Sequence, residues 1–89
     1  MVEIKTTVQN KTGLHARPAA QLVALAKTFG SKITVSADGR ACDAKSIFSV
    51  LHACIKQGAP VTVRAEGDDE RADAEKAAAV TEYIEALEE

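Results

Sequence analysis

The sequence predicts an α+β domain in which three helices cover one face of a four-stranded, mainly antiparallel sheet. Three observations lead there. Stretches of period-two hydrophobicity alternate with stretches of helical period in the order β-α-β-β-α-β-α. An Asp-Gly pair, Asp38-Gly39, joins two adjacent strands as a tight hairpin. Finally, 89 residues suffice for one domain with a thin core, so the helices must share a single sheet. The order alone leaves open a ferredoxin-like split β-α-β or another sheet of this kind.

The first strand runs from Val2 to Val8, with Val2, Ile4, Thr6 and Val8 on one side. Asn10 to Gly13 interrupts it. From Ala16 to Phe29 the apolar spacing becomes helical, and Ala19, Leu22, Ala26 and Phe29 share one face. Gly30 is the candidate C-cap. Lys32 to Ala37 forms the second strand, turning Ile33 and Val35 inward, and Arg40 to Asp43 returns as the third. Ser46 is an N-cap for a short second helix that begins Ile47-Phe48-Ser49-Val50-Leu51 and ends near Gly58. Pro60 opens a fourth strand through Val61-Thr62-Val63, closed by Gly67. Asp68-Asp69-Glu70 supplies the acidic first turn of a last helix with Ala77, Val80, Ile84 and Leu87 inward.

Composition excludes several classes of function. A chain of this size buries only about 60–65% of its unfolded surface, so any chemistry belongs at the surface rather than in a deep cavity. Three aromatic residues, Phe29, Phe48 and Tyr83, and a net charge of −2 argue against nucleic-acid binding. No apolar run approaches a membrane span, and MVEIKTTVQN lacks the apolar core of a signal peptide; a cytoplasmic location and no membrane insertion are expected. Cys42 and Cys54 form no C-x-x-C pair and read as small core residues. Residues 1–65 carry nine Lys/Arg against three Asp/Glu, and residues 66–89 two against ten. That asymmetry suits either an acidic partner on the basic face or an ordinary solvated last helix.

His15 is the residue that carries chemistry. It stands between a Gly-containing loop and the first helix, where Pro18 is tolerated because first-turn N–H groups have no intrahelical partner. The positive end of the helix dipole disfavours the imidazolium and favours a phosphate dianion. Arg17, two residues on, can offer its guanidinium fork to the same phosphate. A neutral imidazole aligned on phosphorus needs little more, because phosphoryl transfer depends mainly on positioning and charge neutralisation. The plain alternative is that His15 caps a helix and Arg17 is a surface cation.

The string Gly13-Leu14-His15-Ala16-Arg17-Pro18-Ala19 resembles the active-site signature of the HPr family, phosphocarriers of the bacterial phosphoenolpyruvate-dependent phosphotransferase system. Ala44-Lys45-Ser46-Ile47-Phe48-Ser49-Val50-Leu51 is similar to the family's second segment, and length, element order and the hairpin fit throughout. The resemblance implies an open-faced two-layer β-sandwich with four antiparallel strands under three helices. It implies that His15 is phosphorylated on Nδ1 by enzyme I and passes the group to an enzyme IIA domain, with Arg17 contacting the phosphate. Ser46 matches the serine modified by HPr kinase/phosphorylase in many bacteria. Such a protein is a covalent relay rather than a turnover enzyme, needs no cofactor, and is expected to be a monomer. Departures lie at Phe48, where Met is frequent, and Ser49, where Gly is frequent; His52 and Cys54 are not hallmarks. These touch partner preference more than chemistry.

Two rivals remain. One is a regulatory module of the same family, including the nitrogen-related branch, whose output is binding; regulators that lost the carrier role lack the histidine, which is present here. The other is an acylphosphatase-like hydrolase, which would want an Arg-bearing phosphate loop and a later Asn, whereas the one Asn is Asn10. Ala16, Ala20, Ile47, Phe48 and Leu51 are candidates for an apolar docking patch beside His15, with core packing as the alternative for Phe48 and Leu51. Lys27, Lys45 and Lys56 are candidates to ring it. Ser46 is a good N-cap whether or not it is modified. A metal site at His52 and Cys54 is not expected, because i and i+2 do not face each other on a helix.

Overall fold

Each expected element forms in the computed structural model, which describes residues 1–37 and 39–88 without the side chain of Ala16. The elements are β1 (Val2–Thr7), α1 (Ala16–Lys27), β2 (Lys32–Ala37), β3 (Arg40–Asp43), α2 (Ile47–His52), β4 (Pro60–Glu66) and α3 (Glu70–Glu85). The sheet order is β1-β4-β2-β3, and every neighbouring pair is antiparallel. This order decides what the sequence left open: β1-α1-β2 straddles β4, and β3-α2-β4 straddles β2.

Alternation along the strands sends Ile33, Val35, Val61, Val63 and Ala65 into the core. Leu22, Ala19 and Ala26 of α1, Val50 of α2 and Ala77, Val80 and Ile84 of α3 meet them from the helical layer. Cys42 is buried on the same side of β3, and burial raises its thiol pKa above the ordinary value.

The topology sorts the loops to two ends. Thr7 pairs with Pro60, so the β1–α1 loop lies beside the α2–β4 loop. Lys32 pairs with Glu66 and Thr34 with Asp43, which puts the end of α1 and the starts of α2 and α3 at the opposite end.

Several boundaries differ from expectation. Helix α1 stops at Lys27, with Thr28 as C-cap in the right-handed region, so Gly30 is not the cap. Thr28 Oγ1 donates to the Leu25 carbonyl at 2.7 Å, and Lys45 Nζ donates to the Phe29 carbonyl at 2.6 Å, which satisfies the chain end without a left-handed glycine. Phe29 and Leu87 are only half-buried and lie beyond their helices. The larger difference is α2, which ends at His52, well short of Gly58. Ala53 is its C-cap, and Cys54 then takes φ +53° and is exposed rather than in the core. That left-handed residue turns the chain so that Ile55, only 3% exposed, enters the core instead. Asp38 of the hairpin lies outside the described residues; the register Ala37↔Arg40 and Gly39 at φ +76° are those of a two-residue turn.

Candidate functional site

The loop from Val8 to Leu14 is clamped to the loop from Ile55 to Ala59. Val8 N–H donates to the Ala59 carbonyl at 3.0 Å, Gly58 N–H to the Val8 carbonyl at 2.7 Å, and Leu14 N–H to the Ile55 carbonyl at 2.9 Å. Gln57 Nε2 donates to the Gln9 carbonyl at 3.0 Å. Gly13 takes φ +63°, and a β-carbon there would collide with the Ile55 carbonyl oxygen and come within 2.8 Å of Lys56 Cα. Only glycine fits both the conformation and the approach.

From this clamped loop the chain emerges at His15, which is exposed, extended (φ −130°, ψ 161°) and the N-cap of α1. Its ring makes no capping hydrogen bond. Ala16 and Arg17 contribute N–H groups that have no acceptor within the helix, and Pro18, buried beneath them, has none to contribute. The first turn is held from behind by α3: the Tyr83 hydroxyl lies 3.1 Å from the Pro18 carbonyl oxygen and 2.9 Å from Gln21 Oε1. Arg17 is exposed on the same turn. The arrangement is an exposed imidazole on a fixed backbone at the positive end of a helix, suited to hold an anion and attack it.

His15 faces Leu51, Cys54, Ile55 and Lys56 across a shallow cleft of about 280 Å³, with Thr12 and Leu14 beside it. Larger grooves of about 540 and 530 Å³ run past Cys54 along the hairpin but hold neither His15 nor Arg17. His52 and Cys54 do share one of these grooves, because Cys54 has left the helix. No group of three metal-ligating side chains occurs among the described residues.

The docking candidates divide. Phe48 is 81% exposed, and Ala20 is exposed, whereas Ile47 and Leu51 are half-buried and pack on the core. The Ala16 side chain lies outside the described residues. Lys27 and Lys56 are exposed; Lys45 is half-buried, with its ammonium donating to the Phe29 carbonyl at the end of α1. Ser46 caps α2, accepting from Ser49 N–H at 3.3 Å, but at the end of the sheet remote from His15.

Four buried polar residues among those described escaped the sequence patterns, Asn10, Ser31, Asp73 and Thr81. Asn10 is 4% exposed inside the His15 loop. Asp73 is fully buried at the far end, accepting from Ser31 Oγ and Gly67 N–H, each at 2.9 Å. Desolvation acts to raise the Asp73 pKa, but the Ser31 hydroxyl, the Gly67 amide, the terminal ammonium and Lys76 together hold it below its ordinary value. Lys76 Nζ completes the knot by donating to Ser31 Oγ at 2.8 Å. A buried Asp in an acidic, amphipathic stretch carries no local signal, since its partners lie elsewhere in the chain.

Fold and site together define a small open-faced α+β protein with an exposed histidine at a helix N-terminus. A family model described as the PTS HPr component phosphorylation site matches residues 2–86, and the chain belongs to that family. It is 46% identical over 70 residues to the phosphocarrier protein HPr of Xylella fastidiosa, covering 79% of each chain. It is 43% identical over 79 residues to the HPr-like protein Crh of Bacillus subtilis, covering 89% of this chain and 93% of that one. A crystal structure of an HPr from Thermoanaerobacter tengcongensis superposes with a TM-score of 0.82 at 39% identity, covering 100% of both chains. Among the described residues no helix is long and apolar enough to cross a membrane.

Proposed function

We propose that this chain is a cytoplasmic phosphocarrier that accepts a phosphoryl group on His15 from phosphorylated enzyme I and passes it to an enzyme IIA domain. The observation that carries the proposal is the exposed His15 at an uncapped helix start, inside the family's signature string. In the transfer, the Nδ1 lone pair forms a bond to phosphorus as the bond between phosphorus and the donor breaks. The phosphoryl oxygens then lie against the first-turn N–H groups and the Arg17 guanidinium. The same bond breaks in the next transfer, so the protein relays the group without net turnover. Exposed Phe48 and Ala20 supply the apolar contact for both partners, with Lys27 and Lys56 attracting acidic surfaces.

Ser46 is a second modification site in this proposal. A phosphoserine there, carrying about −1.5 to −2 charge, sits at a helix start and leaves the fold intact while changing the face that bears Phe48. A regulatory role through binding is the second reading, favoured by the likeness to Crh. Incubation with phosphoenolpyruvate and enzyme I separates the two. A carrier takes up label that is acid-labile and alkali-stable, as a phosphoramidate is, and His15→Ala takes up none while melting as the wild type does. Absence of label on the wild type, or label retained by His15→Ala, rejects the carrier role.

A further inference from the structure

Asn10 is buried in the loop that presents His15, and its two ends are treated differently. Nδ2 donates to the Gly13 carbonyl at 2.9 Å and reaches Thr12 Oγ1 at 3.3 Å. The backbone of Asn10 closes the same turn, its carbonyl accepting from Gly13 N–H at 3.2 Å. Oδ1, by contrast, is buried with no partner. An orphaned buried carbonyl is costly, and a leucine of similar volume would fill the space without one. The amide is therefore poorly explained by packing. What it does alone is hold the Gly13 carbonyl, and with it the peptide plane that leads into Leu14.

That plane sets the direction of the next two residues. Gly13 is pressed on the backbone of Ile55 and Lys56, Leu14 is 1% exposed and bonded to the Ile55 carbonyl, and His15 follows directly as the N-cap. No side-chain hydrogen bond of His15 caps the helix, so the ring's position relative to the first-turn N–H groups depends on where the backbone leaves the loop. Misplacement by about 1 Å in such a site lowers a transfer rate by orders of magnitude.

We infer that Asn10 is a positioning residue for His15, fixing the Gly13–Leu14 peptide so that the imidazole meets phosphorus at the open end of α1. The inference rests on the phosphocarrier function proposed above. Asn10→Leu should lower kcat for phosphorylation by enzyme I about tenfold while KM changes less than about twofold, because Phe48 and the rest of the contact face are untouched. Thermal stability should change little, since the orphan oxygen is gone but the Gly13 carbonyl loses its donor. Asn10→Asp keeps the shape but lacks the donor, and should show the same loss in kcat. Wild-type kcat in either folded variant overturns the inference, as does a loss of kcat matched by a loss of folded protein in both. Amide and imidazole NMR signals make the test independent of transfer. Asn10→Leu should broaden or split the Leu14 and His15 signals; unchanged sharp signals overturn the positioning role. Failure of the wild type to take label would instead reject the carrier function.

Discussion

At one end of the sheet, α2 and α3 begin under side-chain caps: Ser46 Oγ accepts from Ser49 N–H at 3.3 Å and Asp69 Oδ1 from Arg71 N–H at 3.0 Å. At the other end α1 begins at His15, with an extended backbone and no capping side chain. The capped end is also the one with a buried carboxylate whose oxygens both have donors. The open end has a buried amide with an oxygen left unpaired. A cap is worth about 0.5–2 kcal/mol, and the start of α1 forgoes that side-chain contribution. The difference separates an end whose helix starts are closed by side chains from the end proposed for chemistry, where the loops are clamped but the helix start carries no side-chain cap.

The sharpest way to break the distinction is at Gly13. Gly13→Ala must force the Ile55 and Lys56 backbone away and place alanine at φ +63°, costing about 2–4 kcal/mol of stability. Chemical denaturation measures it; a loss under 0.5 kcal/mol would mean the two loops are not clamped. Arg17→Ala tests the open end without disturbing the fold. Transfer into His15 should slow about tenfold, equivalent to about 1.4 kcal/mol in the barrier, with the melting temperature nearly unchanged. Equal rates would leave Arg17 a surface cation.

Ser46 sharpens the comparison from the capped end. Ser46→Ala should cost about 0.5–2 kcal/mol through the lost cap and leave transfer near normal. Ser46→Asp should slow transfer a few-fold at low salt, and the deficit should shrink as salt rises. The physical reason is distance. Helix α2 spans about 9 Å, comparable to the 8–10 Å over which exposed charges are screened at physiological ionic strength. Ser46 precedes exposed Phe48 by two residues, so in the proposed docking the added charge is expected to act first on a partner held there. Stopped-transfer kinetics at two salt concentrations decide this, and equal rates for Ser46→Asp and wild type at low salt would place the docking face elsewhere.

Asp73 gives an effect that depends on pH, present in full at neutral pH and fading in acid. Its carboxyl is held below the ordinary 3.8, so the unfolded chain binds a proton more readily than the folded one. Its contribution to stability is complete above 3.8 and is lost as pH falls through the lower folded value. Unfolding free energy should drop over that range, and Asp73→Asn should flatten the drop. An identical acid limb in the variant would show that Asp73 titrates alike in both states.

The order of elements and the strand faces were legible because each rests on local pattern: period two, period 3.6, an Asp-Gly turn. The His15 segment stands out through its resemblance to the HPr signature string rather than through any one local pattern. The strand order was not legible, since β4 entering between β1 and β2 leaves no mark on neighbouring residues. The end of α2 was misjudged for a related reason. His52 to Gln57 contains no breaker, and the helix stops because Ile55 fits the core and its carbonyl serves Leu14. Cys54, which reads as a small core residue from its apolar neighbours, lies exposed at φ +53°. The bond from Lys45 to the Phe29 carbonyl, sixteen residues away, has no local signal either. Asn10 was visible only as part of a loop, because its partners are backbone atoms that a sequence does not display.

The open helix start can be observed directly by recording amide NMR spectra before and after phosphoryl transfer from enzyme I. With phosphate on His15, the amide protons of Ala16 and Arg17 should move furthest downfield, as new donors to phosphoryl oxygens, while Ser49 and Arg71 at the capped starts stay in place. Large shifts at Ser49 or Arg71, or none at Ala16 and Arg17 in a protein shown to carry phosphate, would contradict the assignment of chemistry to the uncapped end.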